Sequence, residues 1–103
     1  MKIQVQARTL LLSDISELNA SNSTALRDEA RATLTDDVDT IDIDLSQARF
    51  VDSSGLGVLI SLHKTLCGRG GAVRILNPTP SVLQILELTR LHRVFEIVKG
   101  NLR

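Results

Sequence analysis

The chain has 103 residues, 43% of them apolar, with 12 basic and 12 acidic side chains that cancel to a formal net charge of zero. That describes one ordinary globular domain, residues 1–103, with no electrostatic footprint for nucleic acid or for an anionic membrane. Phe50 and Phe95 are the only aromatics, so the core must be aliphatic, and base stacking, which needs aromatic faces, is nearly ruled out.

A lone cysteine, Cys67, excludes an internal disulfide and is read as a buried structural thiol in a reducing compartment. No apolar run is long enough to span a bilayer. The alternating start Met1-Lys2-Ile3-Gln4 is unlike a signal-peptide core, which points to a cytoplasmic protein.

Ile3, Val5 and Ala7 alternate with Gln4, Gln6 and Arg8, the period of a half-buried strand. Residues 9–12 form a second apolar run, and the tight join near Arg8 predicts an antiparallel hairpin. Ser13, Ser16, Asn19, Ser21, Asn22 and Ser23 mark a loop, because their side chains compete for backbone groups. A helix is predicted over 22–34, with Ala25, Leu26, Ala30 and Leu34 on one side. Asp36, Asp37 and Asp39 read as a solvated turn. In 40–45, Ile41, Ile43 and Leu45 share one face, and Asp42 and Asp44 the other. A parallel strand covered on both faces would be continuously apolar. The sheet is therefore expected to carry its helices mainly on one face and to keep a wetter second face.

Residues 55–67 read as a helix with Leu56, Leu59, Ile60, Leu66 and Cys67 at helical spacing, widened by Val58 and Leu62. Gly68-Arg69-Gly70-Gly71 stops it. Ala72–Leu76 is the next strand. Thr79 and Pro80 have the cap and first-position chemistry of a third helix, running to about Thr89 with Val82, Leu83, Ile85, Leu86 and Leu88. Residues 94–98 form a last strand. Strands alternating with helices imply an α/β fold with parallel pairing and right-handed crossovers. Ligands and partners gather at the carboxyl ends of such strands. The stretch Asp52-Ser53-Ser54-Gly55-Leu56-Gly57 lies at such an end, and the loop 13–23 is expected on the same rim.

Ser53 or Ser54 capping the helix would contribute about 1 kcal/mol. Each helical glycine costs roughly 0.8–1 kcal/mol against alanine, so Gly55 and Gly57 together suggest that something approaches the backbone closely. Hydrolase chemistry fits poorly: Gly-x-Ser-x-Gly is absent, and His63 is ten positions beyond Ser53. His63 and His92 read as surface or capping residues. Gly55-Leu56-Gly57 lacks the third glycine of a dinucleotide loop, and one cysteine with two distant histidines makes no metal site. A serine that accepts phosphate suits the position better. It would gain about −1.5 to −2 charges, which free N–H groups and the helix dipole tolerate. A partner packed over Asp52 would meet a bulky dianion.

Val51-Asp52-Ser53-Ser54-Gly55-Leu56-Gly57-Val58-Leu59, following Ile41-Asp42-Ile43-Asp44-Leu45-Ser46, resembles the STAS domain family, and within it the bacterial anti-sigma factor antagonists. Ser16-Glu17-Leu18-Asn19 is similar to the family's Gly-Glu-Leu-Asp, and Leu88-Thr89-Arg90-Leu91 through Val94-Phe95 is similar to its Ser-Gly-Leu…Phe segment. The resemblance covers nearly the whole chain. It implies the sporulation-factor-AA-like fold, a small mixed sheet of about five strands with helices packed mainly on one face, here without the final family helix. It places the phosphorylated serine at Ser53, with Ser54 as the neighbour that could substitute. It puts the partner surface at Asp52, Ser53, Ser54, Gly55 and Leu56 with Asn19, Ala20, Ser21 and Asn22.

The implied partner is an anti-sigma factor with a serine-kinase fold. It binds the unphosphorylated form, releases its sigma factor and phosphorylates the antagonist, and a serine phosphatase reverses the modification. The chain would be a substrate and not an enzyme, without cofactor, metal, nucleic acid or membrane insertion, and a monomer. Ser16, Asn19 and Arg90 depart from the family's glycine, acidic residue and glycine. The alternatives are a STAS subunit of a lipid-transport ATP-binding-cassette complex and a small phosphate- or nucleotide-binding module.

Overall fold

Period-two alternation and a two-residue turn build the first hairpin of the computed structural model, which describes residues 1–100. Strand β1 (Lys2–Gln6) pairs antiparallel with β2 (Thr9–Ser13), Gln6 facing Thr9. Ala7 takes a left-handed φ of 56°, as tight hairpin links require. The tip is anchored: the Arg8 carbonyl accepts from the Asp39 and Thr40 amides at 2.9 and 3.3 Å. The Arg8 guanidinium meets the Asp39 carboxylate at 2.8 Å. That contact raises the Arg8 pKa and lowers that of Asp39 through the shared hydrogen bond first and charge attraction after it.

A carboxylate depressed in the folded state contributes above its unfolded pKa of about 3.9 and loses that contribution as pH falls through the lower folded value. Both side chains are exposed, so salt screens the pair. The expected result is that Asp39 titrates below an ordinary aspartate in an NMR pH series, and that Arg8→Ala returns it toward the ordinary value. An unchanged Asp39 titration in the variant would show that the pair does not hold in solution.

Among the described residues, β1, β2, β3 (Thr40–Asp44), β4 (Ala72–Leu76) and β5 (Glu96–Val98) form one sheet in that order, parallel from β2 onward. The intervening helices are α1 (Ser23–Thr33), α2 (Ser53–Cys67) and α3 (Pro80–Leu88). A 3-10 turn, Leu91–Arg93, precedes β5. The small mixed sheet and one-sided helices are as expected, and no helix follows β5 within the described residues.

The inward side chains make one aliphatic layer. Leu10, Leu12, Ile41, Ile43 and Ile75 of the sheet, Leu26 of α1, Leu59, Leu62 and Leu66 of α2 and Leu86 of α3 are all fully buried. Each such side chain contributes roughly 1.5–3 kcal/mol. Thr79 caps α3, its hydroxyl accepting from the Val82 amide at 3.4 Å with Pro80 next in line. The same hydroxyl donates to the Ala48 carbonyl at 2.7 Å, tying the helix to the chain leading into the motif.

Five apolar expectations are corrected. Ala7, expected on the apolar side of the first strand, lies in the hairpin link beyond β1 and is exposed. Val5 is 48% exposed because β1 is the sheet edge and α1 packs over β2 instead. Ala25, in the first turns of α1, faces solvent. Leu88, the last residue of α3, is 77% exposed. Cys67, the last residue of α2, is exposed and not a buried thiol, with its Sγ 3.7 Å from His63 Nε2. Leu56, Ile60 and His63 lead down that flank of α2, each half-buried.

The second sheet face is polar, as expected, but not uniformly wet. Asp42 is only 8% exposed. Arg74, opposite it on β4, closes a two-pronged contact on it, Nε to Oδ1 and Nη2 to Oδ2, both at 2.7 Å. The hydrogen bond to Asp42 raises the Arg74 pKa. Arg90, standing where the resembled family has glycine, adopts the left-handed φ of 62° that glycine favours. Among the described residues no helix is long and apolar enough to cross a membrane.

Candidate functional site

Two segments outside the main sheet create the rim. Leu18 and Val51 form an isolated parallel bridge. The Arg49 amide donates to the Ser16 carbonyl at 2.8 Å, Leu18 to Phe50 at 2.9 Å and Asp52 to Leu18 at 3.0 Å. Leu18 and Val51 point into the core, 1% and 2% exposed. The Ser/Asn loop and the start of α2 therefore share one rim, as the topology predicted.

Asp52 is the residue that joins them. Its backbone is extended, with φ −94° and ψ −173°, and it caps α2. One carboxylate oxygen accepts from the Gly55 amide at 3.0 Å, and the other from the Ala20 amide at 3.3 Å. The expectation that Ser53 or Ser54 caps the helix is thereby corrected. Three adjacent residues have capping side chains, and Asp52 takes the role because its own amide is held on the Leu18 carbonyl. Both serines then stand in the first turn of α2, exposed, with no hydrogen bond to either hydroxyl among the described residues.

The loop is tied to itself. Asn19 Oδ1 accepts from the Ser21 amide at 2.9 Å and from its hydroxyl at 2.6 Å. Asn22 Oδ1 accepts from the Asn19 amide at 2.9 Å, and Asn22 Nδ2 donates to the Glu17 carbonyl at 2.8 Å. Asn19 and Asn22 are half-buried and Ala20 and Ser21 exposed, so the structure brings the four predicted loop residues beside Asp52.

The two glycines differ. A Cβ on Gly55 would lie 2.8 Å from both the Leu18 carbonyl oxygen and Leu18 Cγ, so the close approach is made by the protein's own loop. A Cβ on Gly57 would meet nothing within 4 Å, so no part of this domain makes a close approach there. Leu56, between them, is half-buried. The histidines are elsewhere: His63 packs edge-on against Phe95 at 5.7 Å, and His92 Nδ1 lies 3.4 Å from the Leu86 carbonyl oxygen. At 1.5 Å per residue, His63 is about 15 Å along α2 from Ser53.

Sequence reasoning passed over Phe50, which is 49% exposed beside the motif. The signal was present, since outward Phe50 alternates with inward Val51. A cleft of about 750 Å³ lies on the polar sheet face, lined by residues including Gln6, Thr9, Asp42, Arg74 and Asn77, away from the motif.

The STAS domain profile matches residues 1–101. The chain belongs to the STAS domain family. An anti-sigma F factor antagonist of Paenibacillus polymyxa is 32% identical over 55 residues, 53% of this STAS domain chain and 47% of that protein. This chain spans about half the length of the relatives it matches. Among solved structures, the anti-sigma factor antagonist SpoIIAA in its unphosphorylated form superposes with a TM-score of 0.86 at 21% identity, over 98% of this chain and 88% of that one. The Bacillus cell fate determinant SpoIIAA in its phosphorylated form gives 0.76 at 22% identity, over 98% and 91%. These likenesses establish the STAS fold.

Proposed function

We propose that this STAS domain is an anti-sigma factor antagonist switched by phosphorylation of Ser53. The observation that carries the reading is the division of labour at the start of α2: Asp52 takes the cap, which leaves an exposed Ser53 hydroxyl unengaged at a helix N-terminus. The names of its relatives support it, as does the phosphorylated form known for a protein of the same fold. In its unphosphorylated form the domain binds an anti-sigma factor of serine-kinase fold through Asp52, Ser53, Ser54, Gly55 and Leu56 and the loop Asn19, Ala20, Ser21 and Asn22.

That partner transfers the γ-phosphoryl group of ATP to Ser53 Oγ. The hydroxyl proton passes to a base on the kinase, and ADP leaves. The phosphoserine stays at the positive end of α2, so the domain keeps its shape, while the partner meets a dianion beside Asp52 and dissociates. A serine phosphatase resets the switch. The domain is a substrate in this cycle and supplies no catalytic group. It works as a monomer in the cytoplasm.

The test is to incubate the protein with its cognate kinase and ATP and to map the phosphate by mass spectrometry. One phosphate at Ser53 is expected, moving to Ser54 at most in Ser53→Ala. No incorporation, or a phosphate elsewhere, would overturn the site. Co-purification with a transporter ATPase in place of a kinase would favour a lipid-transport subunit.

A further inference from the structure

We propose that Phe50 is the apolar anchor by which the serine kinase that modifies Ser53 grips this domain, seated in an apolar socket on the kinase. This inference rests on the function proposed above and adds a specificity-determining residue to it.

The outward placement of Phe50 is fixed by the rim. The Leu18–Val51 bridge turns Val51 inward, 2% exposed, and alternation then turns its neighbour outward, 49% exposed. Its carbonyl is held by the Leu18 amide at 2.9 Å, so the backbone beneath the ring is pinned. With its backbone already fixed, Phe50 loses little main-chain freedom on binding, and aromatic side chains dominate interface energetics. The chain has two aromatics, and the other, Phe95, is buried at 4% exposure.

Distance decides the occupant. Phe50 is three residues from Ser53, and a chain spans at most about 3.6 Å per residue, so the two Cα atoms are within about 11 Å. A standard interface buries about 800 Å² per partner, a disc of roughly 16 Å radius. A kinase surface of that size centred on Ser53 reaches the backbone of Phe50. Covering an exposed aromatic without a matching apolar surface would leave its partner's polar groups unpaired.

The test uses the full chain and its cognate kinase with ADP, measured by titration calorimetry and by steady-state phosphorylation. Phe50→Ala is expected to weaken binding about tenfold or more and to raise the KM for the domain with little change in kcat, while Phe50→Leu retains most of the affinity. Phe50→Gln gives the same reading should Phe50→Ala fail to fold. Wild-type affinity in Phe50→Ala or Phe50→Gln, with binding still lost in Ser53→Asp, overturns the anchor and leaves the phosphorylation switch standing. A wild-type chain that neither binds the kinase nor accepts phosphate overturns both. If Phe50→Ala instead abolishes self-association seen by gel filtration and leaves kinase affinity unchanged, a second copy is the occupant and the proposal fails.

Discussion

Gly55→Ala and Gly57→Ala, two residues apart in one helix, are expected to move stability in opposite directions. At Gly57 the new methyl group meets nothing, so the helix gains up to about 1 kcal/mol of backbone preference. At Gly55 it lands on the Leu18 carbonyl oxygen, which cannot withdraw because it already accepts from the Asp52 amide at 3.0 Å. Overpacking of this kind costs about 1–3 kcal/mol and outweighs the helical gain. For a domain of about 100 residues, each kcal/mol moves the melting temperature by roughly 4–8 °C. Gly55→Ala should also push Ala20 off the Asp52 carboxylate, visible as a shift of the Ala20 amide in an NMR spectrum. Equal melting temperatures for Gly55→Ala and the wild type would mean that the loop does not press on α2 in solution.

Ser53→Asp is expected to weaken binding to the anti-sigma factor by about a hundredfold or more, since like charges or an unpaired charge at an interface cost several kcal/mol. Ser53→Ala should bind like the wild type. The fold should respond the other way. A carboxylate in the first turn of a helix is favoured by the dipole by about 0.3–1 kcal/mol, so Ser53→Asp should melt no lower than the wild type. Loss of affinity without loss of stability separates a blocked interface from a damaged fold. Part of the effect should fade at high salt, because charges at an exposed site are screened. Unaltered affinity in Ser53→Asp would remove the basis for a charge-operated switch.

The order of elements and the polar face of β3 were legible because each local signal agreed with the global arrangement. Ile41 and Ile43 against Asp42 and Asp44, and Thr79 followed by Pro80, needed no tertiary context. The misjudged residues share a location. Val5 is on an edge strand, Ala25 in the opening turns of a helix, and Leu88 and Cys67 at the last positions of two others. Periodicity reports the direction in which a side chain points. It is silent about whether a neighbouring element extends far enough to cover it. The cap was ambiguous for a different reason: Asp52, Ser53 and Ser54 all have capping side chains. Only the hydrogen bond from Asp52 to Leu18, across 34 residues of chain, selects among them. The Ala20–Asp52 contact and the exposure of Phe50 follow from that same long-range bridge.

The Asp42–Arg74 clasp matters more for the pairings it forbids than for the one it stabilises. If β3 and β4 slid past one another by a single step, one of the two charged groups would turn toward the aliphatic layer without its counterpart. A charge stranded there costs far more than the clasp contributes in place. The central strands thus have one low-energy alignment during folding. The loops that their ends project, including the one that presents Ser53, inherit that alignment.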